Sequence, residues 1–78
     1  MLKGDKHRRN EKAILTLAKN IRYYRKVRKI TMTELANSLD IDYSHIGRIE
    51  RGIINTNVSM IFDIADMLGV KPSQLLEE

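Results

Sequence analysis

The chain of 78 residues contains no cysteine. Disulfides therefore cannot brace it. A chain of this length buries only about 60% of the surface its unfolded form exposes. Apolar helix faces, good caps and a partner subunit must hold it together. The missing cysteines fit a cytoplasmic protein. Long apolar runs are missing too: none exceeds three residues, as in Met60-Ile61-Phe62. Neither a membrane span nor a signal-peptide core is expected. Strand-like alternation, internal repeats and low-complexity tracts are absent. The only histidines are His7 and His45. No H-E-x-x-H, glycine-rich phosphate loop or Cys/His metal spacing appears, so no enzyme, metal site or cofactor is expected. Asp63 and Asp66 lie three apart on one helical face and read as a solvated pair.

Charge is present but lopsided. Residues 1–29 carry eleven Lys/Arg against Asp5 and Glu11, a net +9, while residues 30–78 carry three bases against eight acids, a net −5. Such an imbalance suggests a polyanion on one side of a small domain.

Residues 1–10 are polar and basic and read as a mobile arm ahead of a domain spanning 11–78. Ile14, Leu17, Ala18, Ile21 and Tyr24 recur at helical spacing and predict a first helix over 11–28. A second helix is predicted over 32–39. Thr31 and Glu34 stand at capping-box spacing ahead of it, with Ile30 and Leu35 at the staple positions. A three-residue turn, Asp40-Ile41-Asp42, leads to a third helix over 43–51, capped by Asp42 and stapled by Ile41 and Ile46. Gly52 stands where a terminating glycine belongs. Asn57 is a plausible cap for a fourth helix over 58–68, which Gly69 ends. Pro72 suits the first position of a short fifth helix over 72–77. The fold class is all-α with five helices.

The second and third helices form a helix-turn-helix, a unit that on a basic chain most often reads the DNA major groove. At 100° per residue, Ile46, Ile49 and Ile53 of the third helix face the core. Ser44, Gly47, Arg48 and Arg51 face the other way, with Tyr43 and His45 flanking them. Tyr43, Ser44, His45, Gly47 and Arg48 are therefore the candidate base-reading set. Arg48 leads it, because a guanidinium pairs with both major-groove acceptors of guanine. Gly47 could let backbone approach the DNA. Thr33, Arg51, Asn55 and Asn57 flank this set as candidate phosphate contacts, Asn57 at a helix N-terminus where free N–H groups attract anions.

The fourth helix carries more apolar positions than one face needs. Val58, Ile61, Phe62, Ala65 and Leu68 read as its inward stripe. Met60, Ile64 and Met67 form a second stripe. With Leu75 and Leu76 they make a candidate homodimer interface.

The segments Asn20–Gly52 and Ile61–Leu76 resemble the lambda-repressor-like, or Xre-type, helix-turn-helix family. The carrying residues are Arg25, Thr31, Glu34-Leu35-Ala36, Ile46, Arg48-Ile49-Glu50-Arg51-Gly52, Ala65 and Leu68-Gly69-Val70. Short members look like phage repressors and the controller proteins of restriction-modification systems. The resemblance implies a compact five-helix domain that dimerises on double-stranded DNA with related half-sites. It also implies a salt bridge between Arg25 and Glu50. The family commonly has glutamine where Met32 stands, and glycine where Asp40 stands. The expected function is a sequence-specific transcriptional regulator, with no small-molecule effector evident. An antitoxin of a toxin–antitoxin pair and a helical interaction module without DNA are the competing readings.

Overall fold

The structure is a computed structural model and describes residues 9–78. The expected basic arm lies largely outside the described residues. Five helices follow in order: α1 (Glu11–Val27), α2 (Met32–Leu39), α3 (Tyr43–Glu50), α4 (Val58–Leu68) and α5 (Pro72–Leu75). Helices α2 and α4 match the sequence expectation, while α1 and α3 end one residue early and α5 two.

Local chemistry explains most of the boundaries. The Thr31 hydroxyl accepts from the Glu34 amide at 3.0 Å, and the Glu34 carboxylate accepts from the Thr31 amide at 2.8 Å, completing the capping box. That bonding holds the Glu34 carboxyl below its ordinary pKa, chiefly through the Thr31 backbone N–H and then its side chain. Asn57 caps α4 by accepting from the Met60 amide at 2.8 Å. Asp42 is a correction: it occupies the N-cap position of α3 in extended backbone, yet its side chain makes no capping hydrogen bond. Asp40 ends α2 in the left-handed conformation, φ 56° and ψ 45°, which aspartate tolerates better than most residues. A second correction concerns the arm. Asn10 is the α1 cap, accepting from the Ala13 amide at 3.0 Å. Arg9 is also tied down, donating to the Glu11 carboxylate and to the carbonyls of Ile53 and Gly52. Arg9 and Asn10, expected in the arm, are thus joined to the helical domain.

The core joins Leu17 and Ile21 of α1, Leu35 and Ala36 of α2, Ile46 and Ile49 of α3, Ile64, Ala65 and Leu68 of α4, and Leu75 of α5. Ile30 and Ile41, the leading residue of each staple, pack against it from the helix entries. Helix α5 closes the bundle by packing on both α1 and α4. Asn20 secures it, donating to the Leu75 carbonyl at 2.9 Å and the Glu77 carbonyl at 2.7 Å.

Helix α4 lies rotated from the expected orientation. Ile64 is fully buried beside Ala65 and Leu68, whereas Val58 and Phe62 are 68% and 57% exposed. Leu75 is fully buried as well. Neither Ile64 nor Leu75 can contribute to a dimer surface, because the monomer's own core consumes both. Met60 is half-buried against that core. Met67 is partly exposed on a side it shares with Ser38 and Leu39 of α2, and Leu76 remains exposed. Ile53, expected inside, is 52% exposed, because the chain turns at Gly52 before reaching it.

Two glycines make that geometry possible, and they differ in a testable way. Gly52 has φ +72°, and a Cβ there would stand 2.7 Å from the Leu15 Cδ2. Gly69 has φ +70° and open space around it. An L-residue in this region costs about 1–2 kcal/mol from backbone strain alone. Gly69→Ala should show that loss, and Gly52→Ala about 1 kcal/mol more from crowding. Urea denaturation of both variants measures the difference; equal losses would remove the close approach of Leu15 as a factor.

Candidate nucleic-acid interface

The site is built from α3 and the segments on either side of it. Ile46 and Ile49 are buried, which turns the opposite side of α3 outward. Tyr43, Ser44 and Arg48 are exposed there, and His45 is half-buried. Four of the five expected base-reading residues therefore reach the surface near one another.

Gly47 is the exception and a correction. It lies on the outward side but is buried, because the side chains of Arg51 and Met32 fold across it. Its backbone does not present itself to a groove. A Cβ at Gly47 would stand 3.0 Å from the Arg51 Nη1 and 3.4 Å from the Met32 Cε.

The expected phosphate contacts Thr33, Arg51, Asn55 and Asn57 are all exposed. Thr33 stands in the first turn of α2 and Asn57 at the cap of α4, while Arg51 is the C-cap of α3. The Asn57 carboxamide oxygen is already engaged by the Met60 amide, so its capping role is filled whatever else it meets. Sequence reasoning passed over the exposed Lys26 and Lys29 at the end of α1, just before the Thr31 cap. Lys29 takes φ 57° in that turn. The signal was present as the charge of residues 1–29, but net charge does not say which bases stand beside α2. Arg28 was among the same bases and is turned elsewhere, donating to the Gly69 carbonyl at 3.4 Å.

The orientation of α3 is held by a buried ion pair. The Arg25 Nε donates to the Glu50 Oε2 at 2.6 Å and its Nη2 to the Oε1 at 3.0 Å. The Arg25 Nη1 also donates to the Ile30 carbonyl at 3.0 Å. Arg22 adds a bond to the Glu50 backbone carbonyl. The Glu50 carboxylate, 4% exposed, is thus met by two parallel N–H groups, the geometry in which a guanidinium binds a carboxylate most firmly. That hydrogen bonding raises the Arg25 pKa above its already alkaline ordinary value, while burial opposes the rise. A raised pKa stabilises the fold at every pH below the ordinary value, so Arg25 remains a cation throughout the working range.

Among the described residues no three His, Asp or Glu side chains converge as metal ligands would, and no helix is long and apolar enough to cross a membrane.

The sequence pattern of the helix-turn-helix family matches residues 21–75, which takes in all of α2, α3 and α4 and their turns. The chain belongs to the helix-turn-helix family. Its lambda-repressor-like, Xre-type character agrees with the residues that carried the resemblance. This helix-turn-helix chain is 31% identical over 64 residues to the immunity repressor protein of Bacillus phage phi105, covering 82% of this chain and 44% of that repressor. It therefore spans less than half the length of that relative. Among solved structures it is similar to a hypothetical transcription factor, NHTF, from Neisseria, with a TM-score of 0.80, 31% identity, and 88% and 80% of the two chains covered. It is also similar to the restriction-modification controller protein C.AhdI from Aeromonas hydrophila, with a TM-score of 0.75, 26% identity, and 80% of this chain and 94% of the controller covered. The clp gene regulator ClgR from Corynebacterium glutamicum shares the fold at a TM-score of 0.79 and 20% identity, covering 82% of this chain and 68% of that one.

Proposed function

We propose that this chain is a sequence-specific DNA-binding transcriptional regulator that binds a pseudo-palindromic operator as a homodimer. One observation carries the reading: Tyr43, Ser44 and Arg48 stand exposed on α3 while Ile46 and Ile49 behind them are buried. A major groove admits a helix presented in that way, and its N-terminal residues reach base edges. Tyr43, Ser44, His45 and Arg48 are the proposed readers. Thr33, Arg51, Asn55 and Asn57 are the proposed phosphate contacts. A role as a restriction-modification controller is supported by the similarity to C.AhdI, most of whose length is covered.

The exposed apolar surface suited to pairing two subunits shares Leu76 with the set expected from the sequence and adds Val58 and Phe62. Val58 and Phe62 lie one turn apart on α4 and are exposed, as is Leu76. The half-buried Ile61 and the exposed Leu76 line a cleft of about 100 Å³ with Ile14 and Leu17. Exposed apolar side chains grouped in this way suit a self-complementary contact. Two reading helices so paired would lie about 34 Å apart, one turn of DNA.

Selection of bound sites from random duplex DNA tests the reading. The expected result is a set of related half-sites about one turn apart. Arg48→Ala should then relax preference at one base pair of each half-site by about 1–3 kcal/mol. Sedimentation of Phe62→Glu should give a monomer that binds the selected duplex more weakly than the parent. A pool with no preferred sequence would overturn the regulator. A parent that sediments as a monomer at high micromolar concentration, and binds a single half-site as well as a full one, would overturn the homodimer.

A further inference from the structure

We propose that Gly47 is a positioning residue whose missing Cβ forms the seat that holds the Arg51 guanidinium on the reading face. The inference rests on the regulator reading above and assigns a mechanism to one of its contacts. Arg51 stands at the C-cap of α3. Its side chain leans back toward the helix N-terminus, and its Nη1 lies 3.0 Å from where a Gly47 Cβ would stand. The Met32 methyl closes the same spot from α2 at 3.4 Å. These two side chains bury Gly47 although it lies on the outward side of α3. Arg51 itself stays exposed, so its cation remains open to an anion.

The physical consequence is pre-organisation. A free arginine stem samples many rotamers, and ordering it on binding opposes association. Seating the guanidinium against bare helix backbone and an apolar methyl meets part of that ordering cost during folding. It also fixes where along α3 the charge stands. The glycine is otherwise hard to account for, since inside a helix it is less favourable than alanine. The arrangement gives up helix stability and gains a placed cation.

The test compares the parent with Gly47→Ala, Gly47→Leu, Arg51→Ala and the two double variants, each titrated with a selected duplex at several salt concentrations. Melting curves accompany every titration. Gly47→Ala should melt higher by a few degrees, from better helix propensity, yet bind about threefold more weakly. Gly47→Leu evicts the guanidinium altogether. It should bind about tenfold more weakly, with a slope of log K against log salt shallower by about one unit per subunit. Neither Gly47 change should reduce binding further when Arg51 is already alanine. Should Gly47→Leu fail to fold, Gly47→Ala carries the same comparison.

Two results would overturn the seat. One is parent-like affinity in both Gly47 variants. The other is an undiminished loss in the Arg51→Ala background, which would mean that the added side chain meets the DNA itself. A DNA-free readout separates this inference from the regulator reading. The Arg51 Nε–Hε group should be ordered by NMR relaxation in the free parent and mobile in Gly47→Leu. Equal mobility in both refutes the seat even if the operator is found. An ordered Arg51 in a parent with no preferred duplex refutes the regulator alone and leaves the seat without a DNA role.

Discussion

Arg25→Met should cost the domain about 3–5 kcal/mol, the loss typical of removing one partner from a buried ion pair. The Glu50 side chain is 4% exposed and meets Arg25 through two N–H groups. Without them a buried carboxylate loses its counter-charge. It must stay charged and undersolvated or take up a proton, and either choice opposes folding. A domain of this length has a total stability of about 4–12 kcal/mol. The variant should therefore be partly unfolded at ambient temperature or melt far below the parent. The loss reaches function as well, because the pair sets how α3 lies against α1. Replacing both partners, as Arg25→Met with Glu50→Leu, should recover much of the stability, since well-packed apolar residues often substitute for a buried pair without loss. It should not recover full operator affinity if the pair's geometry is what aims α3. Urea denaturation and titration with the selected duplex measure the two quantities separately. A single variant within 1 kcal/mol of the parent would remove the ion pair from the account of the fold.

Salt should weaken binding steeply. Arg51 at the C-cap of α3, and the exposed Lys26 and Lys29 at and just past the end of α1, offer up to three cations per subunit. A dimer then neutralises about four to six phosphates, and the slope of log K against log salt is near −4 to −5. Raising salt from about 50 to about 200 mM should reduce affinity roughly 250- to 1,000-fold. Thr33, Asn55 and Asn57 carry no charge, so substituting them should lower affinity and leave the slope unchanged. Arg51→Ala should flatten it by about one unit per subunit, on every sequence alike. That pattern separates phosphate anchoring from the base-selective loss expected of Arg48→Ala. A flat slope in the parent would favour a helical interaction module over a DNA-binding protein.

Caps explain why α2 and α4 were legible to the residue. Thr31 with Glu34 and Asn57 with the Met60 amide are contacts three residues apart, complete within one turn. The Arg25–Glu50 pair spans 25 residues, and nothing local announces it. It was expected only because the chain resembles a family in which that pair recurs. The outward side of α3 was legible because its isoleucines and its polar residues alternate clearly around the helix. Gly47 was misjudged because a helical wheel gives the direction of a position and not what a neighbouring arginine lays over it.

Helix α4 marks where periodicity runs out. Val58, Met60, Ile61, Phe62, Ile64 and Met67 surround nearly the whole helix, so the apolar pattern admits more than one inward face. The packing of α2, α5 and α1 against α4 selected Ile64 and left Phe62 in solvent. Where the helices begin, where α2 and α4 end, and that α3 has one wet and one dry side, followed from the residues alone, because caps and strong amphipathicity act over a turn or two. Which apolar residues the monomer covers, and what seats the guanidinium of Arg51, were decided by elements meeting across the fold, because burial is a property of what stands opposite a side chain and not of the side chain itself.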